Sequence, residues 1–288
     1  MKALLLINAN ARKGDEDDEF LVGLFDGSNI DVSKRIAHSE EEAKTIFQLL
    51  IADHDMVILA GGDGTISCLL SDILASGKPL GILPLGTGND FARSIGVSED
   101  LKDAAELIKK GSTRNVDVGY ADGKPFLNAL NIGFAEQIAR DHGGLVKKMF
   151  GSLSYPYRWW RSYHNSKTFT ADVVMDKEKH NSFRADQISV ANSNSFGRHL
   201  TIDSENSLNS GELSVMAVKP IGVIGWIKLL PKMLFGDPET LEGVATSRER
   251  SISIVTRPKQ KYTIDGEPAG KTPVDIKVQK GHLEVFAS

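Results

Sequence analysis

Apolar runs and helical patterns alternate along the first third of the chain. Residues 3–7, 56–60 and 80–83 form unbroken apolar runs, and each run ends at a polar or glycine-rich turn. Short runs without polar alternation are typical of strands buried on both faces of a parallel sheet. Helical patterns cover about residues 40–51, 65–74 and 99–109, the first after the N-cap Ser39 and the last after Ser98. The pattern predicts an α/β domain whose loops after the strands share one edge of the sheet.

The pattern changes after about Val118. Short strands, many with alternating apolar and polar residues, are predicted at residues 126–132, 169–175, 187–191, 213–218, 251–256, 261–264, 274–278 and 283–286. Two helical segments interrupt them at about residues 146–163 and 221–235, and Pro231 should kink or end the second. We therefore predict an α/β domain with a parallel sheet over residues 1–118 and a mainly antiparallel β domain over residues 119–288. The last strand is expected to pack back on the first domain.

Composition restricts the class of function. The chain has 288 residues, of which 41% are hydrophobic and 25% are charged, as is ordinary for a globular protein. The net charge of −4 argues against a general nucleic-acid-binding protein, which usually carries a basic surplus. No apolar run approaches the roughly 18 residues that span a bilayer, and the N-terminal run is too short for a signal peptide. We expect no nucleic-acid partner and at most peripheral contact with a membrane.

Cys68 is the single cysteine of the chain. One cysteine excludes an internal disulfide and suits a reducing compartment. We therefore expect a cytoplasmic protein, with peripheral contact at the inner face of the membrane. Cys68 lies in the helical pattern after the first glycine-rich loop, where we expect a small buried residue rather than a nucleophile. The sequence predicts no particular oligomeric state.

Two glycine-rich loops follow predicted strands. Gly61-Gly62-Asp63-Gly64-Thr65 opens a helix, where its glycines allow backbone N–H groups to approach a polyphosphate. Such a turn can also be purely structural, and it has neither the Walker A nor the Rossmann dinucleotide spacing. Gly86-Thr87-Gly88-Asn89-Asp90 follows the next strand. Two such loops at adjacent strand ends predict a nucleotide cleft, although Asp90 also suits a helix N-cap.

Asp265-Gly266-Glu267 presents two carboxylates at the end of a predicted strand. Gly266 would allow a tight bend. One carboxylate could accept the proton of a substrate hydroxyl while its neighbour binds a metal ion. Taken alone, the same residues also suit a type I′ or type II turn with exposed acids.

Together these motifs resemble the diacylglycerol kinase catalytic-domain family, which includes bacterial lipid kinases and is related to sphingosine and ceramide kinases. The resemblance rests on residues 61–65, 84–93 and 265–267, and residues 115–119 and 128–134 fit the family's domain junction. It spans nearly the whole chain, with the motifs in order. It implies an NAD kinase/diacylglycerol kinase-like fold and an ATP-dependent kinase that transfers the γ-phosphoryl group to a lipid hydroxyl such as that of diacylglycerol.

The resemblance also implies a nucleotide site. ATP would contact Asn8, Ala9, Asn10, Ala11, Arg12, Ser39, Gly61, Gly62, Asp63, Gly64, Thr65, Gly86, Thr87, Gly88, Asn89 and Asp90. Lys13 would lie near the phosphates. Ala9 and Arg12 replace the proline and glycine that are usual in the family's first loop.

Metal-binding and catalytic roles follow from the same resemblance. Asp63, Asp117 and Glu267 would hold Mg²⁺, which prefers hard oxygen ligands, and Asp90 would complete the acidic cluster. Asp265 would be the general base, with Glu267 as its helper. The implied catalytic set is Asp265, Glu267, Asp63 and Lys13.

A lipid substrate would be reached at a membrane surface. Aromatic and basic side chains alternate over residues 145–164, and residues 221–235 add apolar side chains with Lys228 and Lys232 between them. Both segments suit transient docking on an anionic membrane, but both also suit helices that pack on the second domain. Two rival functions stay open. One is an NAD kinase, since that related group also uses a Gly-Gly-Asp-Gly-Thr loop, and the other is a non-catalytic nucleotide-binding regulator.

Overall fold

The computed structural model of the protein describes residues 1–11, 18–133, 168–176, 180–192, 195–196, 200–201, 208–235 and 238–287. The chain divides into two compact units. The first contains Met1–Val118 and Gln279–Ser288, and the second contains Gly119–Val278. Arg12, Lys13 and the helix predicted at residues 146–163 lie outside the described residues.

A parallel sheet and its helices build the first unit. The strands are β1 (Lys2–Asn8), β2 (Asp31–Ala37), β3 (Met56–Gly61) and β4 (Leu80–Pro84), and the helices are α1 (Asp18–Gly23), α2 (Glu40–Leu50), α3 (Asp63–Ser76), α4 (Asp90–Ser94) and α5 (Leu101–Lys110). The strand order is β2-β1-β3-β4, and every neighbouring pair is parallel. β3 and β4 are buried along their whole length, which explains their unbroken apolar sequences.

Two larger antiparallel sheets and a separate pair of two-residue strands build the second unit. Its strands are the end of β5 (Thr113–Ala121), then β6 (Lys124–Phe126), β7 (Ala129–Gly133), β8 (Phe169–Met175), β9 (His180–Ala185), β10 (Gln187–Ala191), β11 (Ser195–Phe196), β12 (Leu200–Thr201), β13 (Leu213–Val218), β14 (Val244–Glu249), β15 (Ser251–Arg257), β16 (Lys261–Ile264), β17 (Glu267–Lys271) and the start of β18 (Val274–Phe286). One sheet has the order β14-β13-β10-β7-β16-β17, and the other contains β18-β15-β8-β9. Apolar side chains from both sheets, among them Phe126, Phe169 and Tyr262, share one buried core. The predicted combination of an α/β domain and an antiparallel β domain is confirmed.

Helix α6 (Gly222–Phe235) lies against a second apolar cluster of this unit. Leu229 and Met233 are buried there with residues of β10 and β13. Among the described residues, no helix has both the length and the hydropathy required to cross a membrane.

The C-terminal end of β18 completes the first unit. Val285 pairs in parallel with Leu80 of β4. Thr113 of β5 donates a hydrogen bond to the Glu284 carboxylate at 2.6 Å, and the N–H of Gly281 donates to Asp117 at 2.8 Å. The last residues of the chain are therefore held by the parallel sheet and by the first half of β5.

Several predicted elements differ from the structure. The strand predicted at residues 126–132 is two strands, β6 and β7, while the strands predicted at residues 274–278 and 283–286 are one, β18. Asp100, rather than Ser98, caps α5, because its carboxylate accepts the N–H groups of Lys102 and Asp103. Pro231 lies inside α6, which continues to Phe235. Strand β2 is missing from the prediction because only Ala37 of its seven residues is buried, so it has no apolar run.

Helix α2 begins as predicted, at Ser39. The Ser39 hydroxyl oxygen accepts the N–H of Glu42 at 3.1 Å, and the Glu42 carboxylate accepts the N–H of His38 at 2.7 Å. This reciprocal arrangement satisfies two backbone donors at the start of the helix. Because the Ser39 oxygen is the acceptor here, its proton is left for another partner.

Candidate active site

A cavity of about 600 Å³ lies in the first unit, at the edge where β1, β3 and β4 end. This volume falls within the roughly 300–1,000 Å³ that is common for small-molecule sites. The lining residues are Leu6, Asn8, Asn10, Ala11, Ala37, Ser39, Glu40, Ala43, Gly62, Asp63, Gly64, Thr65, Cys68, Gly86, Thr87 and Gly88. Three strand ends and two glycine-rich loops therefore meet at one concave site, as is usual for parallel sheets.

Most residues predicted to contact a nucleotide line this cavity. Ala9, Gly61, Asn89 and Asp90 do not line it, and Arg12 lies outside the described residues. Five further residues line it: Leu6, Ala37, Glu40 and Ala43, for which no contact was predicted, and Cys68, which was expected in the core. Leucine and alanine carry no chemical signature, and the carboxylate of Glu40 also suits the first turn of a helix, so only the positions of these four residues in β1, β2 and α2, next to the strand ends, could have identified them.

The first glycine-rich loop leads directly into helix α3. Gly62 is the N-cap, and it provides no side-chain hydrogen bond to the helix. The first N–H groups of a helix lack partners within it and lie at the positive end of the helix dipole. The Asn8 amide donates to the Thr65 hydroxyl at 2.8 Å, which joins the end of β1 to the first turn of α3. The arrangement suits the binding of an anion at exposed Gly64.

The two glycine-rich loops touch through their backbones. A Cβ atom at Gly86 would lie 2.5 Å from the Cα of Gly62, and one at Gly62 would lie 2.8 Å from the Cα of Gly86. Only glycine permits this approach. Asn89, buried and at φ 53°, fixes the second loop by accepting the N–H of Gly86 and donating to its carbonyl, both at 3.0 Å. Asn89 thus shapes the loop and does not line the cavity.

Asp63 connects the two loops by a second route. Its carboxylate oxygens accept the N–H groups of Asp90 at 3.1 Å and Phe91 at 3.0 Å, so Asp63 caps helix α4 from another loop. Asp90 forms an ion pair with Arg93 at 2.9 Å, and Arg93 also donates to the Gly88 carbonyl. Asp63 lines the cavity while Asp90 is held beside it. Asp63 and Asp90 therefore differ in role, although each lies in a glycine-rich loop that leads into a helix.

Asp117 is fully buried in the first unit, where it accepts the N–H of Gly281. Asp63 belongs to the same unit, and the third predicted metal ligand, Glu267, is exposed in the second unit. Across the ranges that the structure describes, no three His, Cys, Asp or Glu side chains lie together in a group that could hold a metal ion.

Asp265 and Gly266 form the two-residue turn between β16 and β17. Their φ angles are 49° and 88°, and Ile264 pairs with Glu267, which is the geometry of a type I′ hairpin. The Asp265 carboxylate accepts three backbone N–H groups, from Leu127 at 3.1 Å, Asn128 at 2.9 Å and Ala129 at 3.0 Å. The turn predicted from sequence is present, but Asp265 is partly buried and firmly held rather than exposed.

A second Asp-Gly turn in the same unit has the same geometry. Asp122 and Gly123 join β5 to β6 with φ angles of 48° and 81°. The Asp122 carboxylate accepts the N–H of Asp275 at 3.0 Å and the hydroxyl of Tyr262 at 3.1 Å. Burial, together with this carboxylate, raises the pKa of Tyr262 to about 12, so the phenol stays protonated as the donor. An Asp-Gly turn can therefore have a structural role in this protein without taking part in a reaction.

Cys68 lines the cavity and is half-buried, so the expectation of a core residue is wrong. Burial raises the pKa of its thiol above the ordinary value, and the neighbouring Glu40 and Asp72 act in the same direction. A raised pKa disfavours the thiolate, which argues against a nucleophilic role.

Two families of known proteins match successive parts of the chain. Residues 2–121 match the diacylglycerol kinase catalytic domain, and residues 133–287 match the YegS C-terminal NAD kinase beta sandwich-like domain. A diacylglycerol kinase of Bacillus subtilis is 26% identical over 82% of this chain and 78% of its own length. An uncharacterised protein of Synechocystis is 26% identical over 89% of this chain, which spans 59% of that relative.

A solved structure has the same fold. It is of a candidate diacylglycerol kinase from Bacillus anthracis, it is 26% identical, and its TM-score is 0.84 over 100% of this chain and 97% of its own. The two family matches follow each other in the order of the two units and together cover nearly all residues. The chain therefore belongs to the family that joins a diacylglycerol kinase catalytic domain, here residues 2–121, to a YegS C-terminal NAD kinase beta sandwich-like domain, here residues 133–287, and its relatives indicate a phosphotransferase that acts on an alcohol group.

Proposed function

We propose that this protein is an ATP-dependent lipid kinase, which transfers the γ-phosphoryl group of ATP to a lipid hydroxyl such as that of diacylglycerol. The proposal rests chiefly on the cavity of the first unit, where two loops touch at Gly62 and Gly86 beside the N-terminus of α3. The acceptor class is supported by the relative from Bacillus subtilis, which is named a diacylglycerol kinase.

The phosphates of ATP would bind the first turn of α3. The start of a helix presents N–H groups to an anion, and the exposed Gly64 has no side chain that would keep a phosphate away. The hydroxyls of Ser39 and Thr87, which line the cavity, are available as further donors. The cavity wall formed by Leu6, Ala37, Ala43 and Cys68 is largely apolar and suits the nucleoside. Arg12 and Lys13 are proposed phosphate contacts from the sequence resemblance.

Asp63 would hold Mg²⁺ through water. Each of its oxygens accepts one N–H, a carboxylate oxygen can accept more than one hydrogen bond, and Asp63 lines the cavity. Carboxylates combined with water suit this hard cation. When bound, the ion would neutralise charge on the phosphoryl group during transfer. Asp117 and Glu267 are proposed as further ligands on the strength of the family resemblance.

Asp265 is the proposed general base, with Glu267 as its helper. The three N–H groups from residues 127–129 hold the Asp265 carboxylate in one orientation. A carboxylate at this position could accept the proton of an alcohol during transfer. A fixed orientation favours proton transfer because the base need not be positioned at each turnover. We further propose that the protein makes transient, peripheral contact with the inner face of a membrane that contains the acceptor.

An NAD kinase is a second candidate, because the second unit matches an NAD kinase-like β-sandwich. Radiolabelled phosphate transfer from ATP to diacylglycerol, phosphatidylglycerol, a sphingoid base and NAD decides between the two. We expect label in at least one lipid and none in NAD, with no transfer when Mg²⁺ is removed by a chelator. Label in NAD alone would contradict the lipid-kinase proposal, and absence of label in every acceptor would favour a regulator.

Gly64→Ala tests the phosphate site without disturbing the fold. A Cβ atom at Gly64 would meet no protein atom within 4 Å, and alanine in a helix is about 0.5–1 kcal/mol more favourable than glycine. We expect an unchanged or higher melting temperature and an affinity for ATP that is about tenfold lower, equivalent to about 1.4 kcal/mol. Calorimetric titration measures the affinity. Gly23→Ala, in α1 and away from this cavity, is the control that should bind ATP with the affinity of the wild type. If Gly64→Ala also binds ATP with the affinity of the wild type, the proposed phosphate site is wrong.

Asp265→Asn tests the base, and Asp122→Asn is its matched control. Both substitutions place an amide in an Asp-Gly turn of the second unit where a carboxylate accepts backbone N–H groups, so both should lower the melting temperature. Only Asp265→Asn should lower kcat, by about 100-fold or more, because a general base contributes at least that factor. ATP affinity should persist, since the cavity belongs to the first unit. If the kcat of Asp265→Asn stays close to that of Asp122→Asn, Asp265 is not the base.

A further inference from the structure

Helix α6 exposes apolar side chains along one face. Ile224, Ile227, Leu234 and Phe235 are 70%, 61%, 49% and 82% exposed, whereas Leu229 and Met233 are 0% and 5% exposed. Successive residues of an α-helix are about 100° apart around its axis. The four exposed side chains therefore fall within an arc of roughly 100°, and the two buried side chains lie on the opposite side of the helix. Of the eight large apolar side chains that are exposed in the described parts of the chain, four belong to this face. A concentration of this kind marks an interaction surface.

The charge of this segment has the opposite sign to that of the chain. Residues 219–235 contain Lys219, Lys228 and Lys232 and no Asp or Glu, while the chain as a whole carries a net charge of −4. Lys219 and Lys228 are exposed, and Lys228 lies at the margin of the apolar arc. Lys232 is held by the Thr240 hydroxyl. The surface is therefore apolar at its centre and basic at its margin.

We infer that this face of α6 inserts into the surface of an anionic membrane. The docking surface consists of Ile224, Ile227, Lys228, Leu234 and Phe235. Its biological role rests on the proposed function, since a lipid kinase must reach a lipid acceptor. Apolar side chains would enter the acyl boundary while lysines meet anionic headgroups, which is the usual division in interfacial helices. The exposed acids Glu239 and Glu242 follow the helix and would oppose deeper insertion. α6 would thus lie in the plane of the interface.

A second copy of the chain is a less suitable occupant. In a two-fold dimer the same surface meets itself, so two copies of Lys228 would share one interface without an acid on the face to neutralise them. An anionic membrane instead matches both the apolar centre and the basic margin. Charge therefore selects the membrane over self-association.

Vesicle flotation with the full chain tests the inference. Vesicles of phosphatidylcholine with phosphatidylglycerol should bind the protein, and Ile227→Asp or Phe235→Asp should weaken binding about tenfold or more, because a charge replaces an inserted apolar side chain. Lys228→Glu should weaken binding to these vesicles but not to phosphatidylcholine alone. Leu49→Asp is the matched control: Leu49 is 72% exposed on α2 of the first unit, and its substitution should leave binding unchanged.

Equal flotation of wild type and Ile227→Asp, or no flotation of wild type, would overturn the inference. So would a wild-type dimer that Ile227→Asp converts to a monomer, measured by sedimentation velocity. Kinase assays distinguish a failure of the docking surface from a failure of the proposed function. Ile227→Asp should slow phosphate transfer to diacylglycerol in vesicles but not to a short-chain diacylglycerol in solution. If the wild type phosphorylates neither acceptor yet still floats, the proposed function fails and the docking surface stands.

Discussion

The backbone contact between Gly62 and Gly86 is the constraint on which the candidate site depends. Two loops that follow neighbouring parallel strands can approach this closely only without side chains, and the Asp63 carboxylate joins them a second time by capping α4. The first loop carries the N-terminus of α3, and the second carries Thr87 and Gly88. Holding them together sets the width of the cavity, and with it the kind of ligand that fits.

The acids of the predicted catalytic network share a structural feature. Asp63 accepts N–H groups from α4, Asp117 accepts one from β18, and Asp265 accepts three from residues 127–129, which lead into β7. Each acid therefore fixes a piece of backbone as well as offering negative charge. A carboxylate positioned by fixed donors needs little reorganisation when it acts on a proton or a metal-bound water. Substitutions at these positions should be interpreted with stability measured beside activity, since both roles are lost together.

Buried strands and glycine-rich loops could be predicted from the sequence, because continuous apolar runs and glycines in a row have few structural explanations. Strand β2 could not, since it lies at an edge and buries only Ala37. The cavity residues Ala37 and Ala43 were missed for a related reason, as nothing in an alanine indicates what it faces. Asn89 and Asp90 were predicted as ligand contacts from the family resemblance, which does not show that Asn89 also shapes its loop or that Asp90 pairs with Arg93. The exposed face of α6 also required the structure, since its apolar residues are equally consistent with a buried helix.

Cys68 gives the most direct test that the cavity is the ATP site. It is the single cysteine, it lines the cavity, and its thiol is half-buried there. Burial raises its thiol pKa, so labelling by a thiol reagent should be slow at neutral pH and should accelerate as pH rises toward that pKa. At fixed pH, ATP with Mg²⁺ at about ten times its dissociation constant should slow labelling about tenfold in the folded protein and leave the unfolded chain unaffected. Unchanged labelling of the folded protein at saturating ATP would contradict the account.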